Sequence, residues 1–180
     1  MPKGRTIVDT IKFGIIINRL AEQLAENHGN FKNACIIGIQ EKGVKLASRL
    51  QHQLQSTHAI ESDLGKLDIT FYRDDYRVRD KPLKASATQV DFQVEGKDII
   101  LIDDVVYTGR TIHAAIAAIQ DLGRPNTIKL LCMVDRRFNR HFPVRADYTG
   151  VQVDSLDEAY VRVNWEDIDG KDEVLIFSAK

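Results

Sequence analysis

Two adjacent carboxylates, Asp103 and Asp104, close the apolar run Ile99-Ile100-Leu101-Ile102, and Val105-Val106-Tyr107-Thr108-Gly109-Arg110-Thr111 follows them. An apolar run ending in acids reads as a buried strand that delivers charge to the edge of a sheet. A short loop with one glycine and two threonines then leads into a helix. Backbone N–H groups of a first helical turn have no internal partners, and together with the helix dipole they favour a bound phosphate. Gly109 lets the backbone come close to a ligand without a Cβ in the way. The Thr108 and Thr111 hydroxyls can donate to phosphate oxygens. The carboxylates repel phosphate; they suit vicinal hydroxyls, or the water shell of a magnesium ion. Diol, phosphate and magnesium together describe a phosphorylated ribose. Paired aspartates after a strand also occur in phosphatases, receiver domains and capped turns. The phosphatase pattern Asp-x-Asp is absent at this strand end, and the nucleotide-triphosphate loop Gly-x4-Gly-Lys-Ser/Thr is absent from the chain.

The stretch resembles the ribose-phosphate motif of the type I phosphoribosyltransferases. Its form Asp-Asp-Val-Val-Tyr-Thr-Gly-Arg-Thr is most similar to the pyrimidine operon attenuation branch, whose members are also uracil phosphoribosyltransferases. Further matches follow in the family's order. They are Asp68-Ile69-Thr70-Phe71-Tyr72-Arg73-Asp74-Asp75, Leu122-Gly123-Arg124-Pro125, Met133-Val134-Asp135-Arg136 and Pro143-Val144-Arg145-Ala146-Asp147-Tyr148. The resemblance implies that uracil and 5-phosphoribosyl 1-diphosphate give UMP and diphosphate. The bond broken joins ribose C1 to diphosphate, through a transition state like an oxocarbenium ion. Leaving-group charge must be neutralised and the ring cation kept from water. Mg2+, bound mainly by the diphosphate, serves the first need. Asp103 and Asp104 are expected to hold the ribose hydroxyls directly or through the metal's waters.

The same resemblance distributes the remaining roles. Tyr107, Thr108, Gly109, Arg110 and Thr111 are expected at the phosphoribosyl diphosphate. Gln40, Glu41, Lys42 and Gly43 stand where the family has its diphosphate loop, although the family more often has arginine at the Lys42 position and a neutral residue at Glu41. Tyr72 to Asp75 resembles the opening of an active-site lid: Arg73 is assigned to catalysis, Asp74 and Asp75 to the lid, and Arg77, Lys81 and Lys84 are further basic residues of that segment. Val134, Asp135 and Arg136 are expected at the base.

Arg136, Arg137, Arg140 and Arg145 cluster without a carboxylate among them. They line the active site, bind messenger RNA, or pair with the acidic C-terminal region. The family usually has Asp-Arg-Gly-His-Arg where this chain has Asp135-Arg136-Arg137-Phe138-Asn139-Arg140. RNA binding is disfavoured: Asn18 and Glu22 replace the threonine and histidine of RNA-binding relatives. Asp154, Asp157 and Glu158 stand where basic residues are expected, and each phosphate contact needs a cation. A non-catalytic RNA-binding regulator and a purine-base phosphoribosyltransferase remain the alternatives.

Composition agrees with an ordinary globular protein. The 180 residues are 43% hydrophobic and 28% charged, with 25 basic against 26 acidic side chains and a formal charge of −1. Such balance supplies no general attraction to nucleic acid. No apolar run has the length of a membrane span, and the start of the chain lacks a signal-type apolar core. Cys35 and Cys132 sit in separate apolar runs and read as buried thiols in a reducing cytoplasm. Neither they nor the five histidines have metal-site spacing. A homodimer or higher homo-oligomer and a cytoplasmic location are expected, with no membrane partner.

The elements that must position these residues alternate. Asp9 caps a helix to about His28, stopped by Gly29, with Ile11, Ile15, Ile16, Leu20 and Leu24 as its apolar stripe. Residues 34 to 39 form a buried strand, and a helix from Gly43 to about Leu54 packs through Val44, Ala47, Leu50 and Leu54. Leu67, Ile69 and Phe71 alternate as a strand. From Tyr72 to Gln89 the pattern gives a long mobile loop or loose hairpin. A strand to Asp103, a helix from about Arg110 to Leu122 and a strand from Thr127 to Val134 follow, then short alternating runs around Val161, Val163, Trp165 and Val174 to Phe177. Strand–helix alternation predicts one α/β domain with a mostly parallel sheet flanked by helices. Its core spans about 30–135. A small hood is expected from 5–28 and 136–180, built by the N-terminal helix and the C-terminal strands. In such sheets ligands bind beyond the carboxyl ends of strands, where strand order switches.

Overall fold

Buried apolar segments pair in parallel to build the molecule. The structure, a computed structural model, describes residues 4–74, 86–154 and 159–177. The strands are β1 (Arg5–Val8), β2 (Ala34–Ile39), β3 (Asp63–Leu67), β4 (Asp98–Val106), β5 (Thr127–Arg136), β6 (Tyr148–Val153), β7 (Tyr160–Asn164) and β8 (Glu173–Phe177). The helices are α1 (Thr10–His28), α2 (Lys42–His58), α3 (Arg110–Leu122) and the short α4 (Glu166–Asp169). Strands β3-β2-β4-β5-β6 form a parallel sheet. Strands β1-β8-β7 form a small antiparallel sheet above it.

Alternation along the central strands sends side chains to two cores. Ile100 and Ile102 of β4 pack with α1 and α2. Ile99 and Leu101 pack with Ile112, Ala115 and Ile119 of α3. Burying each such side chain is worth about 1.5–3 kcal/mol, so both faces of β4 hold it in register. That register sets Asp103 opposite Cys132 and Val106 opposite Asp135. α1 joins the two sheets. Leu20 and Leu24 share one core with α2 and with Val161, Val163 and Trp165 of the hood, and Phe13 meets Trp165 edge-to-face at 5.4 Å.

Several expectations are corrected. Ile11 and Ile15 are exposed; the buried stripe of α1 is Phe13, Ile16, Ile17, Leu20, Ala21 and Leu24. The strand expected through Phe71 stops at Leu67. There Asp68 Oδ1 accepts from the Thr70 N–H at 2.6 Å, a local turn that diverts the chain into a 3-10 turn over Thr70–Tyr72 and leaves Phe71 exposed. β6 extends the parallel sheet past the expected core boundary at residue 135, because Tyr148 to Val153 finds the open edge of β5. The helix from Asp9, with Lys12 N–H donating to Asp9 Oδ1 at 2.9 Å, and the helix from Arg110 to Leu122 match their predicted limits. Among the described residues no helix is long and apolar enough to cross a membrane.

Candidate active site

Strand order reverses between β2 and β4, so the loops leaving these two strands part and open a crevice. A cavity of about 380 Å³ lies there, lined by Gln40, Glu41 and Lys42 after β2, by Asp68 and Thr70 after β3, and by Asp103, Asp104 and Thr111, with Arg73 and Ser86 at its rim. A second cavity of about 580 Å³ adjoins it, sharing Lys42, Asp104 and Val105 and adding Tyr107, Arg136, Tyr160 and Val161.

Asp103 and Asp104 lie inside β4 rather than after it. Asp103 Oδ1 accepts from the Asp104 N–H at 2.9 Å, and Asp104 Oδ1 from the Val105 N–H at 2.9 Å. Burial, and then the Asp104 charge, push the Asp103 carboxyl well above the ordinary carboxylate range. Burial raises Asp104 as well, opposed by the Lys42 ammonium. Lys42 Nζ stands 3.8 Å from Asp104 Oδ2 and donates to the Val163 carbonyl at 2.9 Å, tying the loop after β2 to the hood. The Gln40–Glu41 peptide in that loop is cis.

The glycines bracketing this loop have a packing reason. A Cβ on Gly43 would lie 2.4 Å from the Ile102 carbonyl oxygen, and one on Gly38 would lie 2.6 Å from Val44 Cα. Gly38 lets β2 pass directly against the start of α2, and Gly43 lets α2 begin against β4. Glu41 is exposed, and its carboxylate makes no ion pair among the described residues.

Gly109 has φ +87°, a left-handed conformation that leads into α3. The Thr108 Oγ1 accepts from the Arg110 N–H at 3.4 Å. The opening of the expected lid rests on this helix start: Arg73 donates to Thr111 Oγ1 at 3.2 Å, and Arg110 pairs with Asp74. Asp75, Arg77, Lys81 and Lys84 lie outside the described residues. Thr111 reaches the first cavity and Tyr107 the second, whereas Thr108, Gly109 and Arg110 line neither.

Of the residues expected at the base, Arg136 lines the second cavity, with its guanidinium 3.7 Å from the Tyr107 ring centroid. Val134 is fully buried in the core, so its side chain is not offered to a ligand. Asp135 is buried and paired with Arg140. Arg137 pairs with Asp154, as the third reading of the arginine cluster expects. Cys35 and Cys132 are buried and free; burial pushes the Cys35 thiol up to about 11 and Cys132 further, so neither is a poised nucleophile.

Sequence reasoning missed Asp68 and Ser86 as cavity residues. Asp68 accepts from the Ser86 N–H as well as from Thr70, its own N–H donates to Thr88 Oγ1 at 3.1 Å, and Gln40 reaches the Ala87 carbonyl at 2.7 Å. The Asx-turn potential of Asp68-Ile69-Thr70 is the signal that could have found the turn. Tyr160 was also missed: a hood over this edge was expected, but nothing in its sequence singles out the residue that reaches the cavity.

The phosphoribosyl transferase domain matches residues 4–167. The chain belongs to the phosphoribosyltransferase family. It is 38% identical to the bifunctional protein PyrR of Caldicellulosiruptor bescii over 98% of this chain and 96% of that one. It is 43% identical to the bifunctional protein PyrR of Microcystis aeruginosa over 88% of each. Among solved structures, the hypoxanthine phosphoribosyltransferase of Trypanosoma cruzi aligns with TM-score 0.73 over 98% of this chain and 97% of that one at 14% identity. That of Staphylococcus aureus aligns with TM-score 0.69 at 18% identity, covering 98% and 92%. At such identities the structural likeness speaks for the fold alone. The five-stranded parallel sheet flanked by helices matches the phosphoribosyltransferase fold, and an additional small antiparallel sheet is present.

Proposed function

We propose that the protein is a uracil phosphoribosyltransferase, converting uracil and 5-phosphoribosyl 1-diphosphate into UMP and diphosphate. One observation carries this reading: the two cavities meet at Asp104, Lys42 and Val105. The first is rich in carboxylates, hydroxyls and cations, as a ribose diphosphate requires. The second, between the Tyr107–Arg136 stack and Tyr160, suits a flat heterocycle. Ribose C1, the atom that changes partners, belongs where they join.

Each group then has a task. Asp103 and Asp104 hold the ribose hydroxyls, and their charge faces the developing ring cation. The α3 N-terminus from Gly109 to Thr111 takes the 5′-phosphate. Lys42 and the backbone of Gln40 to Gly43 hold the leaving diphosphate, in the cavity that Glu41 also lines. Arg73 completes the rim above it, and the hood keeps water from C1. Adjacent carboxylates at a polar cavity fit a hydrated magnesium ion, which when bound neutralises diphosphate charge. We place this chemistry in the reducing cytoplasm, in agreement with the free buried thiols.

Regulation through RNA is the second reading, favoured by the PyrR name of the relatives, each called bifunctional. The engagement of Arg136, Arg137 and Arg140 within the molecule weighs against it. A product assay offers uracil, hypoxanthine, guanine, adenine and orotate separately with phosphoribosyl diphosphate and magnesium. The expected result is UMP from uracil, with the other bases far slower. Preferred turnover of a purine overturns the base assignment, and no turnover with any base overturns the enzymatic reading.

A further inference from the structure

Arg140 lies beyond β5, yet it reaches back under the loop that leads into α3. Its Nη2 pairs with Asp135, and its Nη1 donates to the Tyr107 carbonyl. The pair is sheltered, with side-chain exposures of 19% and 11%. The next peptide units continue the contact. The His141 and Phe142 N–H groups donate to the Thr108 carbonyl at 2.9 and 3.2 Å. The Phe142 ring stacks on His113 of α3 at 4.5 Å, and a Cβ on Gly109 would meet Phe142 and Val144 at 3.3 and 3.2 Å. The far end of this segment is anchored too: Asp147 N–H donates to the Leu130 carbonyl at 2.8 Å, and Leu130 N–H to Asp147 Oδ2 at 2.8 Å.

A peptide unit is planar, and in its trans form the N–H points away from the C=O. Holding the Tyr107 carbonyl therefore sets the direction of the Thr108 N–H, and holding the Thr108 carbonyl sets that of the Gly109 N–H. We propose that Arg140 is a positioning residue for the phosphate loop: with the His141 and Phe142 backbone it fixes two carbonyls from outside and so aims the Thr108 and Gly109 N–H groups inward at a 5′-phosphate. The inference rests on the phosphoribosyl reading of the α3 N-terminus. The planar fork of arginine spans a carboxylate and a carbonyl at once, whereas a lysine ammonium is a single point of charge. Through Asp135 the brace also ties the loop to the strand that carries Arg136. The function assigned to Arg140 is internal, so it is not one of the cations offered to RNA.

The test compares the full chain with Arg140→Lys, Arg140→Gln and the double variant Asp135→Asn/Arg140→Gln, which removes the carboxylate that a lone Arg140→Gln leaves buried without its cation. Magnesium phosphoribosyl diphosphate is titrated calorimetrically, its KM and kcat are measured, and backbone amide exchange is followed residue by residue. In Arg140→Gln and in the double variant the affinity is expected to fall about tenfold or more, with KM rising by the same factor and kcat moving less. Exchange rises at the His141 and Phe142 amides, which hold the loop through the Thr108 carbonyl, while β7 and β8 keep their protection. Arg140→Lys recovers part of the affinity. Affinity within about twofold of the parent together with unchanged exchange in the loop overturns the brace. So does faster exchange throughout the chain, which marks a general loss of stability. If the parent itself binds no phosphoribosyl diphosphate, the site assignment fails, and the local exchange still decides whether Arg140 orders the loop.

Discussion

Lys42 and Asp104 face each other at 3.8 Å where the two cavities meet, and the same ammonium is held by the Val163 carbonyl of the hood. One carboxylate thus has a cation beside it, while its neighbour Asp103 is more deeply buried and its carboxyl is pushed up furthest. The two acids are chemically unequal although adjacent.

Asp104→Asn is expected to keep the fold and lose most activity at saturating magnesium, by about a hundredfold or more. The amide keeps the shape and removes the charge that faces the diol and the ring cation. Steady-state turnover of the folded variant checks this, and near-parent kcat removes Asp104 from the mechanism.

Asp103→Asn is expected to cost activity yet raise stability at neutral pH. A carboxyl whose folded pKa exceeds its unfolded pKa contributes stability below the unfolded value, and that contribution is lost as pH rises through the folded value. Above that window the parent carries a buried charge that the amide lacks. A gain on the order of 1 kcal/mol corresponds to about 2–4 °C in Tm for a chain of this length. Thermal scans across pH read it: the gain should shrink as pH falls, and a variant less stable than the parent at pH 8 contradicts the buried-charge reading.

Gly109→Val is expected to weaken phosphoribosyl diphosphate and UMP together, since both carry the 5′-phosphate. The cause is twofold. The φ of +87° is strained for a β-branched residue, and the added Cβ presses on Val144 and Phe142. Calorimetry with each ligand compares the losses; a loss confined to one ligand moves the phosphate elsewhere.

Specific binding to a pyrimidine leader RNA is expected to be weak or absent. Arg137 is neutralised by Asp154, Arg140 by Asp135, and Arg19 spends its guanidinium on the Thr149 and Gly150 carbonyls. Arg145 stays exposed, so residual binding should depend shallowly on salt, with Arg145→Gln flattening it by about one unit of slope. Filter binding at several salt concentrations decides; a tight, sequence-selective complex makes regulation the primary role.

The parts of this molecule that follow local rules were legible in the sequence. Asp9 and Gly29 bracket α1, Gly123 stops α3, and the apolar runs of β2, β4 and β5 can only be buried. The carboxylates and the turn into α3 were legible because strand, acids and helix start are contiguous. What escaped depends on partners distant in sequence. β6 is a strand because β5 has an open edge, and β1 because β8 lies beside it. Ile11 and Ile15 fit a helical period, but the direction α1 faces is set by α2 and Trp165. Tyr160 reaches the second cavity only through the hood, and the inward turn of Arg140 follows from the placement of Asp135 and Tyr107 rather than from its position in a basic cluster.

The clasp around Asp68 has a consequence for how this chain tolerates change. The Lys66–Gln89 bridge and the Asp68–Ser86 and Gln40–Ala87 contacts close a ring of backbone at the cavity wall. A ring closed at its base pays for extra length only logarithmically, about 0.6 kcal/mol for each doubling. The order of this wall is therefore set at the base of the ring, by Lys66, Asp68 and Gln40 and their partners Gln89, Ser86 and Ala87, so loss of the Asp68 carboxylate is what would free this side of the crevice.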